Sequence, residues 1–168
     1  MGFTKLNDEV YVTDGDVTLV TAEDIATLKN SAAGNERKKA RLCAHGDVSD
    51  RLHEMLIVHV GGAYVPPHKH PGKSESFHII EGRLKVFLFD NDGNRIQTVQ
   101  MGELASGETF FYRLSSETYH SVLPESEYVV FHEVTNGPFD RNDMVIAPWA
   151  PPDDDTEAQA RFILSLLA

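Results

Sequence analysis

The sequence lacks the features on which several common classes of protein depend. Cys43 is the only cysteine, so no disulfide can form within the chain, and a small buried thiol is the simplest interpretation of that residue. No apolar run approaches the roughly 18 residues that a transmembrane helix needs. The motifs of a nucleotide-binding loop, a nucleophile elbow and a Cys-x-x-Cys redox site are also missing. The sequence therefore favours none of those classes.

Basic residues are scarce as well. The chain of 168 residues has 15 Lys and Arg against 26 Asp and Glu, which gives a formal net charge of −11 at pH 7. A chain this acidic is a poor candidate for binding nucleic acid or an anionic membrane surface. Its first residues lack the long apolar core of a secretion signal. We therefore expect a cytoplasmic protein whose ligand is a small molecule.

The chain length and the distribution of turn residues predict a single domain that covers residues 1–168. Residues 1–51 are predicted to form an N-terminal arm, with two short extended pieces at 9–20 and a helix at 21–33. Residues 52–148 consist of short apolar runs separated by turns every 8–12 residues or so, a pattern typical of an all-β sandwich or barrel. Residues 149–168 are predicted to carry a C-terminal helix at about 156–167, which packs on its own barrel or on another subunit.

A basic run stands out in the N-terminal arm. Residues 35–41 read Asn-Glu-Arg-Lys-Lys-Ala-Arg. Such a run is usually a solvated surface. A role in holding an anionic substrate or a partner chain is the alternative.

The strongest functional signal lies in residues 62–82. His68 and His70 are two residues apart, so on an extended strand they point to the same side with Cα atoms about 7 Å apart. Residues 71–74, Pro-Gly-Lys-Ser, predict a turn that brings Glu75 back towards the two imidazoles. Imidazole and carboxylate groups are typical ligands of a divalent transition metal. A polar strand-turn-strand without an ion is the alternative interpretation.

The full spacing of this segment resembles the first sequence motif of the cupin superfamily. It reads Gly62, five residues, His68-x-His70, four residues, Glu75, six residues and Gly82. The resemblance implies an all-β fold, the double-stranded β-helix or jelly-roll barrel. It also implies a metal held by two His, one Glu and a third, distant His.

His120 is the only plausible donor for that third histidine. Its segment departs from the second cupin motif, because Arg113, Ser115 and Thr118 stand where the superfamily has Pro, Gly and His, and His120 comes two residues late. The departure bears on the conformation of the loop more than on the ligand. The predicted metal ligands are therefore His68, His70, Glu75 and His120. They suit one divalent ion of Zn, Ni, Fe, Mn, Co or Cu without choosing among these metals.

Four other residues are candidates for the pocket around the metal. Tyr64 and His132 could move a proton, Arg113 could hold a carboxylate or phosphate, and His45 could cover the pocket mouth. Packing is the alternative for Tyr64, and a surface ion pair is the alternative for Arg113.

Three further histidines are expected not to bind the metal. Strand alternation places His78 on the face opposite to Glu75. His53 and His59 are best explained as core histidines with satisfied hydrogen bonds.

Several linked segments look like the WbuC-type cupin-fold metalloproteins. The resemblance spans residues 41–151, and its clearest segments are Arg41–His45, Tyr64–His70, Lys73–Gly82 and Ala147–Pro151. It implies a bacterial cytoplasmic protein with a bound divalent metal. Some relatives are encoded among genes for O-antigen polysaccharide biosynthesis, which points to activated sugars. The resemblance leaves the reaction open.

Three functional hypotheses follow, together with the expectation of a homodimer. The first is an isomerase- or epimerase-like enzyme that acts on a small polar or sugar-derived metabolite, with an Fe-dependent dioxygenase as a variant. The second is a non-catalytic, metal-dependent module that binds a small ligand. The third is a barrel whose ion only stabilises the fold. The fold class alone does not separate them.

Overall fold

Two β-sheets form the body of the protein, and two helices lie outside them. The computed structural model describes residues 2–167, apart from the side chain of Arg141. The helices are α1 (Ala22–Gly34) and α2 (Thr156–Leu167). The strands are β1 (Phe3–Lys5), β2 (Val10–Thr13), β3 (Lys39–Cys43), β4 (Leu52–Val60), β5 (His68–Lys69), β6 (Glu75–Glu81), β7 (Arg83–Phe89), β8 (Arg95–Gly102), β9 (Phe111–Leu114), β10 (Tyr119–Pro124), β11 (Tyr128–Asn136) and β12 (Val145–Ile146). Neither of these helices is long and apolar enough to cross a membrane.

The strand order is that of a jelly roll. The first sheet has seven strands in the order β1-β2-β3-β4-β11-β6-β9, and the second has five in the order β12-β5-β10-β7-β8. From β4 to β11 the chain passes from one sheet to the other at every step except between β7 and β8. This alternation produces two facing antiparallel sheets, the double-stranded β-helix. The predicted fold class is confirmed.

Gly82 marks a passage between the two sheets. The sequence favours a hairpin-like pair of strands around this residue, and that expectation is wrong. β6 pairs with β11 and β9 in the first sheet, whereas β7 pairs with β10 and β8 in the second. Gly82 has a φ of 82°, and a Cβ at this position would overlap the carbonyl oxygen of Tyr128. Glycine is therefore required at this crossing.

The N-terminal arm is part of the first sheet. β3 runs antiparallel to β4, and β2 runs parallel to β3. Of the two extended pieces expected at residues 9–20, only β2 is a strand, and its partner β1 precedes it. β3 lies partly within the basic run, for which the sequence indicated either a solvated surface or a role in holding an anionic substrate or a partner chain. Charged and apolar residues alternate in Lys39-Ala-Arg-Leu-Cys43, which is the signature of a strand with two different faces.

Helix α1 covers the outer face of the first sheet. Thr21 caps its N-terminus, and the Thr21 and Asp24 side chains each accept a hydrogen bond from the backbone N–H of the other, which forms a capping box. Leu28 packs on Leu42 and Val58. Because this outer face is apolar, the alternate residues of β3 and β4 face the barrel interior.

Helix α2 covers the outer face of the second sheet. Asp155 caps it by accepting a hydrogen bond of 2.8 Å from the backbone N–H of Ala158. Phe162 and Leu166 pack with Phe87 and Leu123 of β7 and β10. The C-terminal helix therefore packs on its own barrel. Every residue of β10 is buried, because its outer face lies beneath this cluster and its inner face lines the barrel.

Candidate metal centre

The barrel interior holds an apolar core and an open cavity. Core residues from both sheets, such as Phe77, Leu84 and Phe131, pack together in the interior. Beside them lies a cavity of roughly 680 Å³, a volume typical of sites for small molecules. His68, His70, Glu75 and His120 all line this cavity.

Three histidines converge at one place in the cavity wall. His68 on β5 and His120 on β10 are direct partners in the antiparallel register, and His70 directly follows β5. One ring nitrogen from each of the three lies within 4.8 Å of the others. The structure therefore brings together the predicted pair and the distant histidine, despite the irregular segment before His120.

Backbone carbonyls orient all three rings. The Nδ1 atoms of His68, His70 and His120 lie 2.8, 3.1 and 3.0 Å from the carbonyl oxygens of Pro66, Asp143 and Thr118 respectively. A carbonyl oxygen only accepts hydrogen bonds, so each neutral ring carries its proton on Nδ1 and keeps a lone pair on Nε2. This is the arrangement in which histidine binds a metal with an oriented, more basic Nε2.

Glu75 supplies a carboxylate from the other sheet. It is the first residue of β6, and its Oε1 and Oε2 lie 2.8 Å from His120 Nε2 and 3.5 Å from His70 Nε2. This contact is buried, and Glu75 Oε1 and His120 Nε2 have no other hydrogen-bond partner. A carboxylate this close to an imidazole nitrogen needs a cation at the contact, either a proton on His120 or a metal ion between the two groups. These residues therefore fit a divalent metal.

The electrostatics leave two of the imidazoles neutral. Burial lowers the pKa of His68 to about 3 and also lowers the pKa of His70. Burial acts to lower the pKa of His120 too, but the Glu75 carboxylate outweighs it and raises that pKa. Burial acts to raise the pKa of Glu75, whereas His120, His68 and His70 hold it below its usual value. Three neutral imidazoles and one carboxylate are the forms that bind a metal, and only His120 must lose a proton.

Tyr64 does not line the cavity, contrary to its prediction as a pocket residue. Its hydroxyl donates a hydrogen bond of 3.0 Å to the carbonyl oxygen of Pro151, and its ring packs edge-on against Phe162. Burial raises the pKa of this hydroxyl. Tyr64 therefore helps to attach helix α2.

Arg113 and His132 are also outside the cavity, so both pocket predictions are wrong. Arg113 lies on the outer face of β9, where it donates a hydrogen bond of 3.2 Å to Ser74 Oγ. His132 lies between Phe131 and Glu133, which both line the cavity, so strand alternation points it outwards. There its Nε2 is 3.6 Å from Glu54.

The remaining histidines are placed largely as expected. His45 lines the cavity and stacks on His53 with ring centroids 3.9 Å apart. His78 is exposed on the outer face of β6. His53 and His59 are buried as expected, but they line the cavity, and each has a ring nitrogen without a hydrogen-bond partner.

Sequence reasoning missed Glu133. This side chain lines the cavity from β11, and burial, followed by the Glu75 carboxylate, raises the pKa of its carboxyl to about 8. Glu133 shares its face of the strand with Phe131 and Val129, which lie two and four residues earlier and pack in the barrel core.

Comparisons with known proteins bear on the fold. The sequence profile of a family described as a domain of unknown function (DUF6016) matches residues 20–101, and no curated protein matches. Among solved structures, the capsular polysaccharide assembling protein CapF of Staphylococcus aureus superposes with a TM-score of 0.55 at 16% identity, over 67% of this chain and 32% of CapF. The Shewanella oneidensis protein SO0799 superposes with a TM-score of 0.50 at 14% identity, over 61% of this chain and 66% of that protein. The chain has the cupin fold. Oxalate decarboxylase of Bacillus subtilis is 24% identical over 59% of this chain and 24% of its own length, with a TM-score of 0.47.

The cupin barrel spans less than two thirds of each of these proteins. What these proteins do is therefore no direct guide to this one. The finer resemblance to WbuC-type proteins stays a prediction.

Proposed function

We propose that this cupin binds one divalent transition metal through His68, His70, Glu75 and His120, and that it uses the metal to hold a small polar or sugar-derived metabolite. The observation that carries the proposal is the buried 2.8 Å contact between His120 Nε2 and Glu75 Oε1. It lies beside two further Nε2 atoms and opens on a cavity of roughly 680 Å³.

The activity that we propose is isomerisation or epimerisation. The bound metal would supply Lewis acidity towards an oxygen of the ligand. Glu133 would exchange a proton with the ligand, because it lines the same cavity and burial raises the pKa of its carboxyl towards neutral pH. Glu133 takes the role that the sequence assigned to His132 and Tyr64.

A sugar-derived ligand is the class that we favour. The resemblance to WbuC-type proteins supports it, and the fold likeness to a capsular polysaccharide assembling protein is consistent with it. A link to bacterial surface polysaccharide biosynthesis is part of this proposal.

Metal content tests the site. Tag-free protein, purified without chelators or a nickel column, is equilibrated with each candidate metal and analysed by elemental mass spectrometry. We expect about one equivalent of metal in the wild type and almost none in the His68→Ala/His70→Ala variant. The control is His78→Ala/His132→Ala, which removes two histidines outside the cavity and should keep the metal. A folded wild type without metal would overturn the proposal.

Hydrogen exchange tests the activity. Metal-loaded protein is incubated in D2O with a panel of sugars, sugar phosphates and hydroxy acids, and C–H exchange is followed by NMR. We expect exchange in one class of compound and its loss in Glu133→Gln, which should still bind the metal. Binding without exchange would support the ligand-binding module, and oxygen uptake by the Fe-loaded protein would support the dioxygenase.

A further inference from the structure

A second group of polar side chains lines the same cavity on strands β3 and β4. Lys39 and Arg41 are two residues apart on β3, so they share its inward face, and both line the cavity. His59 is the direct partner of Lys39 across the antiparallel pair of β3 and β4. We call Lys39, Arg41 and His59 the β3–β4 wall.

The two cations of this wall are not neutralised by the protein. Lys39 Nζ donates a hydrogen bond of 2.8 Å to the carbonyl oxygen of Tyr64, which carries no net charge. Within residues 2–167, neither Lys39 nor Arg41 forms an ion pair. Lys73, which also lines the cavity, pairs with Asp143 at 2.8 Å. Lys39 is half-buried without a counter-ion, which is costly, and Arg41 adds a second, exposed charge on the same face of the strand. An anion that contacts both side chains would therefore be stabilised.

His59 adds an unpartnered donor or acceptor beside these charges. Its side chain is 7% exposed, and its Nδ1 is buried without a hydrogen-bond partner. Burial lowers its pKa to about 3, so the ring is neutral and carries one N–H. A buried polar atom without a partner costs free energy that a ligand oxygen would recover.

We propose that the β3–β4 wall binds an anionic group, a phosphate or a carboxylate, of the ligand whose other end lies at the metal centre. The second half of this statement rests on the proposed function, whereas the anion site itself does not. The wall is a local concentration of positive charge in a chain whose net charge is −11. The substrate class is therefore an anionic metabolite, such as a sugar phosphate or a sugar acid, and a neutral sugar would leave both cations unpaired.

Side-chain NMR of the full-length, zinc-loaded protein tests this inference. Sodium phosphate and sodium acetate are titrated separately at constant ionic strength, with sodium chloride as the balancing salt. The resonances of Arg41 Nε and of the His59 ring report on the wall. We expect saturable shifts at millimolar concentrations of at least one anion, and the two titrations show whether the wall prefers phosphate or carboxylate. The variants Arg41→Gln and Lys39→Gln should each lower the affinity about tenfold, the loss expected for one charge-assisted hydrogen bond.

Matched variants separate this site from the metal centre. Arg51→Gln and Lys38→Gln remove the same charges from residues outside the cavity, and both should leave the affinity unchanged. An anion bound to the metal would instead be lost in His68→Ala/His70→Ala and retained in Arg41→Gln. The inference is overturned if neither anion gives saturable shifts, or if the shifts survive in Arg41→Gln and Lys39→Gln. Zinc retention in the same samples shows that such a result would leave the proposed metal site intact.

Discussion

Two parts of the cavity, which we call its two ends, are built in different ways. At the metal centre, three imidazole rings are each held by a backbone carbonyl, and the fourth group is a buried carboxylate. At the β3–β4 wall, the charged groups have one hydrogen bond to a carbonyl oxygen and no ion pair among the described residues. The ligand side chains of the first end are held rigidly and suit one small ion. The charged side chains of the second end are adaptable and suit an anionic group.

Each end also has its own support from outside the barrel. Strands β5 and β10, which carry His68 and His120, belong to the sheet that α2 covers, whereas Glu75 reaches the centre from β6 of the other sheet. Strands β3 and β4 belong to the sheet that α1 covers. The comparison therefore predicts that changes at one end, or in its supporting helix, affect that end more than the other.

The largest expected effect is at the metal centre. We expect His120→Ala to lower metal affinity by more than about 100-fold, since even partners of a metal ligand typically contribute 10–100-fold. Competition with a chromogenic chelator measures the affinity. His132→Ala is the control, because that ring faces outwards on β11, and equal losses in both variants would contradict the assignment.

The next effect concerns the support of the metal centre. Leu166 is 7% exposed in the cluster between α2 and the second sheet. We expect Leu166→Ala to lower the free energy of unfolding by about 2 kcal/mol, at the low end of the range for buried leucines. Amide hydrogen exchange should become faster in β10 and stay unchanged in β3. Faster exchange in β3 would show that the two ends are not separately supported.

The third effect is a pH dependence of the wall. Burial, and then the nearby charge of Arg37, lower the pKa of Lys39 to about 8. Lys39 is therefore charged below this pH and neutral above it, so acetate should bind more weakly as the pH rises from about 7 to about 9. We expect a loss of several-fold by NMR titration, with acetate itself remaining ionised throughout. The loss should be absent in Lys39→Gln, and an unchanged affinity in the wild type would contradict the role of Lys39.

The smallest effect concerns the support of the wall. Thr21→Ala removes the cap of α1 and should lower the free energy of unfolding by about 1 kcal/mol, as measured by denaturant titration. Metal affinity should be unchanged. Thr21→Ser keeps the capping oxygen and should retain most of the stability.

Three of the four candidate metal ligands were predictable from the sequence because their signal is local. His68, His70 and Glu75 are close in the chain, and the turn between them follows from Pro71 and Gly72. The pairing of strands is not local, so the sequence placed a hairpin at Gly82, where the chain in fact changes sheets.

The phase of a strand decides which residues reach the cavity. His132 was predicted to lie in the pocket because imidazole can transfer protons. Its neighbour Glu133 instead shares the inward face with Phe131. Alternate residues of β3 also face opposite sides of the sheet. The basic run therefore did not reveal that Lys39 and Arg41 share the face towards the cavity. Tyr64 packs against α2, and Arg113 lies on the outer face of β9. Only the tertiary structure shows that these two residues lie outside the cavity.

The position of Trp149 has a practical consequence. It is the only tryptophan, and its ring packs against Phe89, Tyr119 and Phe162, between the second sheet and α2. Tyr119 directly precedes His120 in β10. The tryptophan fluorescence of the unlabelled protein therefore comes from a single residue behind the metal centre. Detachment of α2 should be visible as a red shift of its emission, and quenching by bound copper or nickel would report occupancy in real time.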